Sequence, residues 1–91
     1  MTNKTGTVYL IGAGPGDPGL LTIKAKECIE TSDVVVYDYL ASPFLLDYAK
    51  KDAQIIYVGK KGGDHTLTQD KINLLLVDKA KEGLDVARLK G

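Results

Sequence analysis

The heptapeptide Gly12-Ala13-Gly14-Pro15-Gly16-Asp17-Pro18 constrains this chain more than any other stretch. It follows the apolar run Val8-Tyr9-Leu10-Ile11 and precedes Leu20-Leu21-Thr22-Ile23-Lys24-Ala25. The first flank reads as a buried strand and the second as a helix. A glycine-rich turn therefore stands at the carboxyl end of a first strand, where open α/β sheets bind their ligands. Its spacing approaches the dinucleotide fingerprint and fails it, because G-x-G-x-x-G requires glycine where Asp17 stands. Asp17 and Pro18 make a good N-cap and first helical residue, which predicts a helix starting at Pro18. Pro15 has no N–H to donate. A carboxylate at that helix start would repel a pyrophosphate. The turn suits close approach by a cationic or zwitterionic adenosine ligand better than a dinucleotide.

Strand and helix patterns alternate along the rest. Strands are expected at Thr7–Ile11, Asp33–Tyr37, Gln54–Val58 and Asp85–Leu89, each a nearly continuous apolar run of the kind parallel strands show when covered on both faces. Helices are expected at Pro18–Glu30, at Pro43–Lys50 after Ser42, and at Leu67–Lys81. The last has Thr66 and Gln69 in capping-box spacing and Gly83 as its stop. Its apolar residues Ile72, Leu75, Leu76 and Ala80 recur with a helical period. The reading is one α/β domain over residues 1–91, a doubly wound parallel sheet of four strands with right-handed crossovers. Stopping at Arg88-Leu89-Lys90-Gly91, just past a fourth strand, suggests a truncated amino-terminal domain, cut where a second glycine-rich loop would begin.

Composition excludes several classes. Lys plus Arg and Asp plus Glu are each 12, so no net field favours nucleic acid or an acidic membrane. Arg88 is the only arginine, which argues against a phosphate-backbone binder. No apolar stretch is long enough for a membrane span, and the start lacks a signal-peptide core. The single Cys28 allows no internal disulfide and fits the cytoplasm. It reads as a core residue on the apolar side of the first helix. With one histidine and one cysteine there is no metal-site spacing.

Asp38 closes the second strand and Lys60 follows the third, so both fall at the ligand edge of the sheet. Three readings of Asp38 stand side by side: a proton acceptor in a reaction that develops positive charge, a carboxylate capping a turn, and a ribose-binding acid. Lys60 reads as a donor or anchor for an acidic substrate, or as a solvated charge. Lys61 and His65 read as surface and turn residues, and Tyr37 and Tyr57 as packed strand residues.

Val8–Ala25 resembles the signature of the tetrapyrrole methylase family, a glycine-rich loop followed by Asp-Pro, Leu-Leu-Thr and a lysine. Val34-Val35-Val36-Tyr37-Asp38 with Leu40, then Tyr57-Val58-Gly59-Lys60-Lys61, Gly63, His65, Gln69, Ile72-Asn73 and Arg88-Leu89-Lys90-Gly91, are similar in order and spacing to its uroporphyrinogen-III C-methyltransferases. The resemblance implies S-adenosyl-L-methionine as methyl donor, a small-molecule tetrapyrrole substrate methylated at two pyrrole carbons, and precorrin-2 as product, leading to sirohaem or cobalamin. It implies a homodimer of longer chains, each with a second domain. Carried over residue by residue, it makes Asp38 the proton acceptor and Lys60 the proton donor. Pro15 and Gly91 become cofactor contacts. Tyr39 stands where the family often has an arginine, which bears on substrate contacts. The rivals are a precorrin-4 type methylase and a non-catalytic nucleotide-binding module.

Overall fold

The computed structural model describes residues 5–12, 21–39, 41, 43–59 and 67–90. The element order is β1 (Val8–Gly12), α1 (Ile23–Thr31), β2 (Val34–Asp38), a 3₁₀ helix (Pro43–Tyr48), β3 (Gln54–Gly59), α2 (Gln69–Lys81) and β4 (Val86–Lys90). All strands are parallel, in the order β1-β4-β2-β3. This is the α/β class that the alternating pattern predicts, with all four expected strands present and three of them starting one residue later.

The layers follow from the period-two alternation of each strand. Val35, Ala87, Leu89 and Ile11 point to one face and meet Ile29 of α1 and Leu45 of the 3₁₀ helix. Val34, Val36, Val58 and Val86 point to the other and meet Ile72 and Leu76 of α2. Connections from β1 to β2 and on to β3 run one way across the sheet with their helices on the first face. The return from β3 to β4 runs the other way with its helix on the second face. One crossover hand accounts for all three. The return inserts β4 between β1 and β2, and so buries β2 and β4 on both faces. The outer strands are half open: Leu10 is 78% exposed and Ile55 43%. The expectation that every strand is covered on both faces therefore holds for the inner pair.

Each helix differs from expectation at an end, for a local reason. In α1 the start is Ile23, not Pro18. Thr22 has an extended backbone (φ −69°, ψ 156°), and its Oγ1 accepts from the Ala25 N–H at 3.1 Å. A threonine hydroxyl that takes up a free helix-start N–H is a cap, not an interior residue. Asp17 and Pro18 lie outside the described residues. The second expected helix is a six-residue 3₁₀ segment, continued by the Ala49 N–H donating to the Leu46 carbonyl. A connection this short between adjacent strands uses the tighter helix. In α2 the cap is Thr68, accepting from the Lys71 N–H at 3.3 Å, while the Gln69 amide donates to Asn73. Leu67, just before the cap, packs on the same cluster as Ile72, which fixes the entry angle. The predicted capping residue Thr66 lies outside the described residues. The C-terminus ends as the glycine predicts. Gly83 has φ 86°, its N–H donates to Ala80 O, and the Leu84 N–H donates to Lys79 O, the paired bonds of a left-handed helix stop.

Candidate functional site at the carboxyl edge of the sheet

Register places four strand ends in one row. Gly12 pairs with Lys90, Tyr37 with Leu89, and Asp38 with Gly59. Across the sheet the row reads Gly12, Lys90, Asp38, Gly59, at strand spacings of roughly 5 Å. The sequence-predicted site residues Lys60, Pro15 and Gly91 lie outside the described residues. The residues that lead into them along the chain, namely Gly59, Gly12 and Lys90, stand in this row beside Asp38. Lys61 and His65 also lie outside the described residues.

Asp38 is held from three directions. Its Oδ1 and its backbone carbonyl both accept from the Ala41 N–H, at 3.2 Å each. The capping role is therefore present, whatever else the carboxylate does. Its Oδ2 faces Arg88 Nη2 at 3.5 Å. On its third side, a Cβ added at Gly59 would stand 3.3 Å from Asp38 Cβ, so the absence of a side chain there leaves the carboxylate its place. The pairing shifts register between Tyr37 and Asp38. Such an irregularity re-aims the side chain at a strand end.

Arg88 is the residue that sequence reasoning passed over. It sits in the middle strand β4, on the same face as Val86 and Val36, with a side chain only 6% exposed against 16% for Asp38. Its Nη1 donates to the Leu89 carbonyl at 2.7 Å. The 3.5 Å approach of Nη2 to Asp38 is a charge contact more than a short hydrogen bond. Removing one partner of a buried pair generally costs about 3–5 kcal/mol, because the other charge is left without compensation. The signal was available in the sequence: an arginine interrupting the buried run Val86-Ala87-Arg88-Leu89 needs an anion.

A cavity of about 310 Å³ opens beside this row, lined by Gly12, Lys90, Arg88, Gln69 and Asn73 among others. Among the described residues no atom lies within 4 Å of where a Cβ on Gly12 would stand. Tyr37 and Tyr57 pair their rings across β2 and β3 at 4.9 Å between centroids; Tyr37 is half-buried as expected of a packed strand residue, whereas Tyr57, on the outer strand, is 41% exposed. Cys28 is half-buried against the first-face cluster. Among the described residues no helix is long and apolar enough to cross a membrane, and no three His, Cys, Asp or Glu residues gather.

Comparison with known proteins agrees with this geometry. A sequence profile of the tetrapyrrole (corrin/porphyrin) methylases matches residues 7–91. The chain is 62% identical over 87 residues to a uroporphyrinogen-III C-methyltransferase of Methanocaldococcus jannaschii, covering 96% of this chain and 36% of that protein. It is 56% identical over 91 residues to the Bacillus subtilis enzyme of the same name, covering all of this chain and 19% of that one. A crystal structure of uroporphyrin-III C-methyltransferase from Thermus thermophilus superposes with a TM-score of 0.78 at 42% identity, over 94% of this chain and 35% of that one. Another structure of that enzyme, complexed with S-adenosyl homocysteine, has a TM-score of 0.71. A cobalt precorrin-4 methyltransferase aligns at 31% identity with a TM-score of 0.75. The chain thus spans about a third or less of the relatives it matches. The profile match over residues 7–91, in a chain that folds as a parallel four-stranded sheet, identifies it as a member of the tetrapyrrole methylase family.

Proposed function

We infer that this chain is the amino-terminal part of an S-adenosyl-L-methionine-dependent methyltransferase acting on uroporphyrinogen III. The observation that carries the reading is the 62% identity to an enzyme of that name across nearly the whole chain. The lower 31% identity to the precorrin-4 enzyme favours the first substrate over the second.

The cofactor supplies an electrophilic methyl group. This chain's residues supply orientation and proton handling. Pro15 and Gly91 would contact the cofactor; Gly12 and Lys90, which lead toward them along the chain, line the cavity at this edge. Methyl transfer to a substituted pyrrole carbon leaves a cationic adduct, and Asp38, at the carboxyl edge of β2, accepts the proton that this adduct releases from an atom other than the methylated carbon. Lys60, directly after β3, donates one. The substrate carries carboxylates, which suits a lysine on that edge. The parent protein is a homodimer in the cytoplasm, with no nucleic-acid or membrane partner, and its product leads to sirohaem or cobalamin.

The test is incubation of the parent protein with S-adenosyl-L-methionine and uroporphyrinogen III, with products followed by mass spectrometry. Addition of two methyl groups per macrocycle is expected. An unchanged macrocycle, alongside methylation of a precorrin-4 type substrate, would transfer the reading to the rival.

A further inference from the structure

We propose that Arg88 is a positioning residue for the reaction, holding the Asp38 carboxylate at the carboxyl edge through an ion pair between neighbouring strands. The proposal rests on the reading of Asp38 as proton acceptor. Four observations carry it. Arg88 is nearly enclosed in β4, which lies directly beside β2. Its guanidinium is anchored at one end by the 2.7 Å bond to the Leu89 carbonyl, which leaves Nη2 aimed at Asp38 Oδ2. The opposite oxygen, Oδ1, is taken by the Ala41 N–H. Gly59 stands against Asp38 Cβ. The carboxylate thus has one oxygen fixed by the turn after β2 and the other by a cation from β4. A planar guanidinium with several donors can serve the carbonyl and the carboxylate together, which a lysine ammonium on a flexible stem does less well. An acceptor held in one orientation at the strand end is what proton transfer requires, and small misplacements of such groups reduce rate steeply. Arg88 also lines the cavity beside Gly12, so the same side chain joins the acid to the wall of the ligand space.

The test uses the intact parent protein with four variants: Arg88→Met, Arg88→Lys, Asp38→Asn and Arg88→Met combined with Asp38→Asn. Turnover, the KM for uroporphyrinogen III and the dissociation constant of S-adenosylhomocysteine are measured for each. Arg88→Met is expected to lower kcat about tenfold or more, with KM and the S-adenosylhomocysteine constant within about threefold of wild type. Arg88→Lys is expected to fall between Arg88→Met and wild type, and serves alone where the methionine variant does not fold. The double variant is expected to be no slower than Asp38→Asn, because a positioning residue has nothing left to position. Wild-type turnover in either single Arg88 variant overturns the proposal. So does a parallel loss of S-adenosylhomocysteine affinity, which marks a general structural role, or multiplication of the two single effects in the double variant. If those results come with an impaired Asp38→Asn, the positioning role falls and the acceptor role stands. If Asp38→Asn itself turns over normally, the acceptor role falls, and the positioning role falls with it.

Discussion

Asp38 shows how one side chain serves two purposes without conflict. Its Oδ1 caps the turn through Ala41, and its Oδ2 faces Arg88. The capping alternative read from sequence is therefore correct as structure, and it engages Oδ1 while Oδ2 meets the guanidinium. Gly59 is the least conspicuous part of this arrangement. A methyl group there would press on Asp38 Cβ at 3.3 Å, a distance that forces a shift of a few tenths of an ångström on the carboxylate. Gly59→Ala in the parent protein is accordingly expected to lower turnover several-fold, with thermal stability changed by no more than about 1 kcal/mol. Steady-state kinetics beside a thermal melt check this. Unchanged turnover would mean that the site tolerates movement of Asp38.

At the level of elements, the amino edge of the sheet is tied by carboxylates, as the carboxyl edge is built around one. Asp85 Oδ1 accepts from the Thr7 N–H, Asp33 Oδ2 accepts from the Asp85 N–H, and Lys50 Nζ donates to Asp33 Oδ1 at 2.6 Å. These contacts link the leads into β1, β4, β2 and β3. The hydrogen bond from Lys50, then that from the Asp85 N–H, holds the Asp33 carboxyl below its ordinary value of 3.8. The bond to Asp33 in turn raises Lys50 above its ordinary 10.5. The sign follows for each group. A lowered carboxyl contributes stability above pH 3.8, and that is lost as pH falls through its folded value. A raised ammonium contributes below pH 10.5, and that is lost as pH rises through its folded value. Lys50→Met is expected to lower the melting temperature slightly by a constant amount between those limits, the difference shrinking outside them. Both groups are about a third exposed, so the effect is small. Melting curves of wild type and variant from pH 3 to 11 test it; a difference that grows on acidification would contradict the clamp. The helix ends show where sequence was hardest to read. Leu21 and Leu67 are apolar and look helical, but each precedes a threonine that caps instead. Gly83 was legible because only a left-handed residue stops a helix in that way.

In the whole molecule, the strands and their parallel sense were legible because central strands carry unbroken apolar runs, of which Val34-Val35-Val36 is the clearest. The strand order was not, since nothing local in Val86-Ala87-Arg88-Leu89 says that it inserts between the first two strands. That insertion is what brings Arg88 to Asp38, so the order of the sheet decides the chemistry of its edge. The pairing could be found only by asking what neutralises a buried arginine. The central claim is that the row Gly12, Lys90, Asp38 and Gly59 is the floor of the reaction site. Its most direct test is a crystal structure of the parent protein with S-adenosylhomocysteine. The account predicts the ligand at the carboxyl edge, in contact with Pro15 and Gly91 and on the side of the sheet end toward which Asp38 faces. A ligand bound at the amino edge near Asp33 and Asp85, or touching none of the residues that follow β1 and β4, would contradict it.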